Sequence, residues 1–259
     1  MSQLQLIDLP RQPSEWDERE VYYSLPVYIW PLVEYLRRLA WERDECRHIA
    51  RHWRVMARKW ARQVFSADSV FVEPCAGGGA LVEGWMQYAE HAGGELIEPH
   101  RVVTGDIRDG PTDWIGDWSG HQTPNGYRYN RPGVRDLMGW GKQGAARPFS
   151  LVATNPPFSE TQAIVEASWR HSEGITAWLQ RSSWYEPTEE RGRWLQRHNP
   201  DQIVIGRCKF YRPDGSCVGA GDSCSYSWFV TGPNRRGLLA GHHEIIKWRD
   251  APVLQGAQE

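Results

Sequence analysis

The chain has 259 residues, with 30 basic and 32 acidic side chains and a formal net charge of −2 at pH 7. This length suits one α/β domain with a substantial core, and the near-neutral charge means that any nucleic-acid surface must be local. Because no long apolar run or secretory signal is found and the five cysteines are widely spaced, we expect a cytoplasmic protein without a membrane span. A zinc site built from Cys208, Cys217, Cys224 and His242 is conceivable, but without a close cysteine pair ordinary thiols and no metal are expected.

The N-terminal part predicts an irregular arm followed by a helical segment. Residues 1–20 are polar and punctuated by proline, whereas residues 21–66 begin with Val21-Tyr22-Tyr23-Ser24-Leu25-Pro26 and continue with a helical pattern. The apolar positions of that pattern are Leu32, Leu36 and Leu39, and then Ile49, Trp53, Met56 and Trp60 on one face.

The other face of residues 36–63 is basic. It carries Arg37, Arg38, Arg43, Arg47, Arg51, Arg54, Arg58, Lys59 and Arg62, against Glu42, Asp44 and Glu45. The simpler interpretation is that this face is solvated. The more specific one is that it contacts nucleic-acid phosphates, in which case a local positive surface compensates for the near-neutral overall charge.

A glycine-rich turn follows the first predicted strand. Residues 69–72 form a short apolar run that ends in Glu73-Pro74-Cys75-Ala76-Gly77-Gly78-Gly79, and a helical pattern then extends from Ala80 to about His91. Such a turn lets a ligand approach bare backbone, and a carboxylate at the strand end can accept hydrogen bonds from a cation or hydroxyl. The spacing differs from the dinucleotide fingerprint, and the absence of a following Lys-Ser or Lys-Thr argues against a phosphate-binding P-loop.

Residues 101–107 predict a second strand with Asp106 at its end. This carboxylate can accept two donors from a ligand, or it can serve as a turn residue before Asp109-Gly110. Residues 110–148 are rich in Gly, Trp, Asn and Arg and have no clear periodicity, which predicts a long loop with a short third strand.

The stretch Asn155-Pro156-Pro157-Phe158 follows an apolar run at residues 150–154 that predicts a buried strand. Two consecutive prolines fix φ and remove two backbone donors, so the loop must be extended and preorganised. The Asn155 side-chain carbonyl and the carbonyls before the prolines, which we expect to have no local partner, can converge on one amino group. Phe158 adds a flat apolar face, although these four residues could also form a simple turn.

The remaining chain predicts alternating helices and strands. Helices are expected at residues 160–170 and 189–198, and strands at residues 174–180, 202–210 and 225–230, the last two joined by the turn-rich residues 212–215. Residues 233–259 are expected to form a tail, within which the segment Ile245-Ile246-Lys247-Trp248 has no assigned role.

Taken together, the two loops resemble those of the class I S-adenosylmethionine-dependent methyltransferases, and within them the DNA amino-methyltransferases of phage and restriction-modification type. Glu73-Pro74-x-x-Gly77-x-Gly79 is similar to their cofactor motif, and residues 155–158 are similar to their catalytic motif of Asp, Asn or Ser, two prolines and an aromatic residue. The resemblance covers roughly residues 20–232. It implies a single Rossmann-like domain at 21–232, with a seven-stranded, mostly parallel sheet that ends in an antiparallel hairpin.

The resemblance also implies roles for individual residues. Asp106 would accept hydrogen bonds from the ribose hydroxyls of S-adenosylmethionine, and Asp136, within Gly133-Val134-Arg135-Asp136-Leu137, would bind the adenine amino group. Ser24 and Pro26 would close over the methionine end, although this departs from the commoner Thr-Pro-Pro pattern. The full set of implied cofactor contacts is Ser24, Pro26, Glu73, Pro74, Cys75, Gly77, Gly79, Asp106, Ile107, Asp136 and Asn155.

The implied reaction is methyl transfer to the exocyclic amine of adenine in DNA, with Asn155, Pro156, Pro157 and Phe158 as the catalytic loop. Phe158 and Phe210 would stack on the two faces of a base that has left the duplex. Phe210 could instead be a core residue, with Tyr211 or Trp184 facing the substrate. The same loop serves enzymes that methylate cytosine-N4 in DNA, exocyclic amines in RNA or glutamine amides in protein, and a further alternative is an inactive methyltransferase-like subunit that binds nucleic acid.

Overall fold

The computed structural model describes residues 24–41, 51–66, 69–75, 79–91, 102–104, 149–158, 161–169, 172–186, 188–210 and 224–251. Its helices are α1 (Trp30–Trp41), α2 (Arg51–Val64), α3 (Ala80–His91), α4 (Thr161–Ser168) and α5 (Glu189–His198), together with 3-10 turns at Pro26–Ile29, Ser182–Tyr185 and Trp248–Asp250. Its strands are β1 (Phe71–Glu73), β2 (Val102–Thr104), β3 (Phe149–Thr154), β4 (Ser172–Arg181), β5 (Asp201–Arg207), β6 (Ser225–Thr231) and β7 (His243–Ile245).

The described strands form one mostly parallel sheet in the order β2-β1-β3-β4-β6-β5-β7. Strand β6 runs antiparallel to both of its neighbours, β4 and β5, while the other neighbouring pairs are parallel. The α/β class, the mostly parallel sheet and the antiparallel pairing of β5 with β6 are therefore confirmed.

The seventh strand of the described sheet is not the one that the sequence predicts. The expected short strand within 110–148 lies outside the described residues and stays a prediction. Strand β7 instead comes from the predicted tail, where Gln202 to Val204 pair with His243 to Ile245. The domain boundary predicted at residue 232 therefore separates β7 from the rest of the sheet, because residues beyond it supply this edge strand.

Alternating side chains divide the core into two layers. On one side, Ile175, Ala177 and Leu179 of β4 join a large cluster with α1, α2 and α3. On the other side, Trp178 joins a smaller cluster, which also contains Val165, Trp169, Trp184, Trp194, Leu195 and Phe229. This period of two follows from strand geometry and puts helices on both faces of the sheet.

The buried face of α2 differs from the predicted one. Trp60 is buried as expected, but Met56 is 38% exposed and Trp53 only half-buried. The face that packs on the core consists of Ala57, Trp60, Ala61 and Val64. Two alanines in the buried stripe give little hydrophobic signal, so the sequence pattern favours a buried position for the larger Met56.

The buried Asp201 carboxylate joins the C-terminal part of the chain to the sheet through hydrogen bonds. Asp201, the first residue of β5, is fully buried. Its Oδ2 accepts hydrogen bonds from the Tyr35 hydroxyl (2.9 Å) and from the Leu239 N–H (2.8 Å). Its Oδ1 accepts from the N–H groups of Gly241 (2.9 Å) and His242 (2.8 Å). Burial raises the pKa of Asp201 to about 6, and the four donors oppose that rise.

Candidate active site at the carboxyl edge of the sheet

Strand order brings the two predicted loops together. Strands β1 and β3 are parallel neighbours, with Val72 opposite Val152. Glu73 and the Asn155 loop therefore leave the sheet at the same edge, which we call the carboxyl edge because the parallel strands end there. Ligands of open α/β sheets bind outside this edge.

Ser24 holds the amide of Asn155. The Asn155 Nδ2 donates a hydrogen bond to the Ser24 Oγ at 3.0 Å, across 131 positions of the chain. With the nitrogen engaged in this way, the side-chain carbonyl Oδ1 is the atom that Asn155 can offer as an acceptor to a ligand. The family resemblance implies a contact of Ser24 with the cofactor, which stays a prediction, and the structure brings Ser24 against Asn155.

The double-proline loop is fixed by Gln180, a residue that no sequence motif indicates. This residue lies near the end of β4 and is 1% exposed. Its Nε2 donates to the Pro156 carbonyl at 3.0 Å and to the Thr161 hydroxyl at 2.8 Å. The Thr161 hydroxyl in turn donates to the Pro157 carbonyl at 3.0 Å. The expectation that the Pro156 carbonyl has no local partner was therefore wrong, although one of its two lone pairs remains available.

The guanidinium group of Arg181 lies over one face of the Phe158 ring. The Phe158 side chain is half-buried and packs against the larger core cluster. The guanidinium carbon of Arg181 lies 5.0 Å from the ring centroid, within cation–π distance, and Arg181 itself is exposed. A planar group that stacks on Phe158 must therefore either use the other face of the ring or replace Arg181.

Several of the implied cofactor residues lie around the same edge. Glu73 is 2% exposed at the end of β1, Pro74 is buried and Cys75 half-buried. Gly79 has a φ of 78°, a left-handed conformation that glycine adopts without strain, and α3 begins at the next residue. Gly77, Asp106, Ile107 and Asp136 lie outside the described residues, so their roles stay predictions.

The turn that carries Ser24 and Pro26 is held against α3. A Cβ atom placed on Gly84 would overlap the Pro26 carbonyl, so the backbones of the turn and the helix are in direct contact. Glycine at position 84 thus permits the approach that brings Ser24 to the carboxyl edge.

Phe210 occupies a core position. It is 7% exposed, and its ring lies 5.9 Å from that of Tyr28 and 4.8 Å from that of Tyr226. This packing favours the core interpretation over a substrate contact. Of the two other aromatic candidates, Trp184 is 7% exposed within the smaller cluster and Tyr211 lies outside the described residues.

We expect Phe210→Ala to lower the free energy of unfolding by about 3 to 5 kcal/mol, because it removes a buried aromatic ring and leaves a cavity. The measurement is a thermal or denaturant melt, with Phe158→Ala as a control at a half-buried aromatic. A Phe210→Ala protein with an unchanged melting temperature and greatly reduced turnover would contradict the core role and restore the substrate role.

In the described part of the chain, no helix is long and apolar enough to cross a membrane. Within the same residues, no group of three or more His, Cys, Asp or Glu side chains could hold a metal ion. Cys208 is buried, Cys224 is half-buried, and Cys217 lies outside the described residues.

Comparisons of the sequence with known protein families and with characterised proteins gave no match. Among solved structures, the chain is similar to a Listeria monocytogenes protein described as a class I S-adenosylmethionine-dependent methyltransferase, with a TM-score of 0.48 and 9% identity over 94% of this chain and 72% of that one. It is also similar to the type IIG restriction endonuclease BpuSI, with a TM-score of 0.44 and 10% identity over 81% of this chain. For the DNA-bound type ISP restriction-modification enzyme LlaBIII, the TM-score is 0.45 and the identity 11%, over 88% of this chain. The chain spans only 26% of BpuSI and 20% of LlaBIII.

Proposed function

We propose that the protein is an S-adenosylmethionine-dependent methyltransferase that acts on the exocyclic amino group of adenine in DNA. The observation that carries the proposal is the Asn155 amide, held by Ser24 in a preorganised loop at the carboxyl edge of a mostly parallel sheet. The resemblance of residues 73–79 and 155–158 to the two methyltransferase motifs supports it. The proposed domain covers residues 21–232 together with β7, with residues 1–20 as an arm.

The residues around the edge fit the proposed cofactor. S-adenosylmethionine carries a cationic amino group and ribose hydroxyls, and the buried Glu73 carboxylate can accept hydrogen bonds from such donors. Gly79 adds a turn without a side chain at the start of α3. We assign the cofactor to Ser24, Pro26, Glu73, Pro74, Cys75 and Gly79, together with Gly77, Asp106, Ile107, Asp136 and Asn155. The chemistry that it supplies when bound is an electrophilic methyl group on a sulfonium.

The protein's own task in the proposed reaction is to position the amine and to stabilise the positive charge that develops on it. Asn155 Oδ1 accepts one amine hydrogen, and the remaining lone pair of the Pro156 carbonyl accepts the other. These two acceptors bias the nitrogen toward tetrahedral geometry and so raise its nucleophilicity, without a strong general base. Gln180 keeps the Pro156 carbonyl in place, and Phe158 stacks on the base.

The test is the transfer of tritiated methyl groups from S-adenosylmethionine to pools of DNA, RNA and protein, followed by nucleoside analysis of the labelled DNA. We expect label in N6-methyladenine. Label in N4-methylcytosine, RNA or a protein glutamine would instead support the alternatives that the same loop allows. Calorimetry that detects no cofactor binding to the unmodified protein would contradict every methyltransferase assignment and leave an inactive nucleic-acid-binding subunit.

A further inference from the structure

Helix α2 carries basic side chains without acidic ones. Its 14 residues include Arg51, Arg54, Arg58, Lys59 and Arg62, and no Asp or Glu. The Arg62 Nε donates to the Ala40 carbonyl at 2.9 Å, whereas the other four side chains form no ion pair or hydrogen bond with the described residues. Arg37 and Arg38 of the neighbouring α1 are different, because both pair with Glu34. The charge on α2 is therefore not needed to balance a described carboxylate.

The outward side of α2 is formed by Arg51, His52, Val55, Met56 and Lys59, all exposed, and we call it the α2 outer face. Val55 and Met56 are 56% and 38% exposed, so this side of the helix is not packed against the core. The opposite, apolar side is packed in the core. Because that side is occupied, the helix cannot lay an apolar face into a lipid bilayer as an interfacial amphipathic helix does.

The first turns of α2 point toward the carboxyl edge. The ring of Trp60 packs against Gly232, which follows the end of β6 in the amino half of the sheet. The helix ends at Val64, shortly before β1 begins at Phe71. Arg51 lies nine residues before Trp60, which is about 13 Å along the helix axis at a rise of 1.5 Å per residue. Since the end of α2 lies near the start of β1, Arg51 lies on the side of the carboxyl edge.

We propose that the α2 outer face, with Arg58 at its margin, contacts the phosphate backbone of duplex DNA while the Asn155 loop acts on a base. This inference rests on the proposed function and adds a partner surface to it. Duplex DNA presents about one negative charge per 1.7 Å of its axis, and cations that pair with none of the described side chains are suited to displace its counterions. The basic surface also supplies the local positive field that the net charge of −2 does not.

The test compares two variants that each lose three positive charges. The first is R51Q/R58Q/K59Q on α2. The second is R197Q/R235Q/R236Q, whose three arginines are exposed beyond the amino half of the sheet and which serves as a matched control. The affinity of each protein for a fluorescent duplex of mixed sequence is measured by anisotropy between about 50 and 200 mM salt, without cofactor, and folding is checked by melting temperature.

We expect the slope of log affinity against log salt to become shallower by about 2 to 3 in the α2 variant, since each lost phosphate contact contributes about 0.9. The control variant should keep the slope of the unmodified protein. If the triple variant fails to fold, the exposed pair R51Q/K59Q should still change the slope by about 1.8.

Equal slopes for the α2 and control variants would overturn the inference and leave the proposed function intact. An unmodified protein that binds cofactor but neither binds nor methylates duplex DNA would overturn both. Vesicles of phosphatidylserine and phosphatidylcholine provide a further arm. If the α2 variant lost binding to these vesicles but kept its DNA slope, the surface would be a lipid contact and the inference would be wrong.

Discussion

Asn155→Ala is expected to lower the rate of methyl transfer by about a hundredfold to a thousandfold, the range seen when one preorganised polar group is removed from a developing charge. The substitution removes Oδ1, the proposed acceptor for the amine, and also the Nδ2 that bonds to Ser24. Affinity for S-adenosylmethionine should be nearly unchanged, because the main assigned cofactor contacts, including the Glu73 carboxylate, lie elsewhere. Single-turnover transfer of tritiated methyl groups and calorimetry measure the two effects separately.

Two further variants separate the chemistry of Asn155 from its orientation. Asn155→Asp keeps acceptor oxygens and should retain more activity than Asn155→Ala. Ser24→Ala leaves the Asn155 amide intact but removes the partner of its nitrogen. Ser24 is also an assigned cofactor contact, so the rate is compared at saturating S-adenosylmethionine, where we expect a smaller loss, of about tenfold, through freer rotation of the amide. Near-normal transfer by a folded Asn155→Ala protein would contradict the proposed mechanism.

Asp201→Ala is expected to lower the free energy of unfolding by about 3 to 5 kcal/mol at neutral pH. The loss follows from four donors that would lose their acceptor. The Tyr35 hydroxyl and the Leu239 N–H are buried, and the N–H groups of Gly241 and His242 are half-buried. Urea denaturation gives the change in free energy. Tyr35→Phe removes only one of the donors and should cost less, about 1.5 to 3 kcal/mol for a hydrogen bond to a charged group.

The Asp201 carboxyl group also makes the free energy of unfolding depend on pH. Its pKa is raised from 3.8 to about 6 in the folded protein, so the folded state binds the proton more tightly than the unfolded state. This group alone therefore makes the protein more stable as the pH falls from about 6 to about 4, and less stable as the pH rises through 6. An Asp201→Asn protein should lack this component of the pH dependence. Identical pH profiles for the two proteins would show that Asp201 does not titrate in this range.

Most strands and helices were predictable because their patterns are local. The runs at residues 69–72 and 150–154 are apolar and bounded by Pro or Gly, and the structure has β1 and β3 there with small changes of boundary. The predicted helix from Ala80 to about His91 is α3 as observed. The short β7 was missed because a three-residue strand with the exposed Ile245 has no periodic signal of its own.

The contacts that shape the site were less predictable than its motifs. Asn155 was singled out because two prolines follow it, but its bond to Ser24 joins residues 131 positions apart. Gln180 was not singled out because a glutamine within a strand carries no motif, and only the register of β4 beside β3 brings it to the Pro156 carbonyl. Tertiary contacts of this kind depend on the complete sheet rather than on any local pattern.

The position of the Asp201 donors has a consequence for synthesis on the ribosome. The backbone N–H groups that bond to Asp201 belong to residues 38 to 41 positions later in the chain. At about 5 to 20 residues per second, they emerge roughly 2 to 8 seconds after Asp201 itself. During that interval β5 has neither its edge partner β7 nor these donors for its first side chain. The edge of β5 that β7 covers in the folded sheet is thus open until residues 239–245 have emerged.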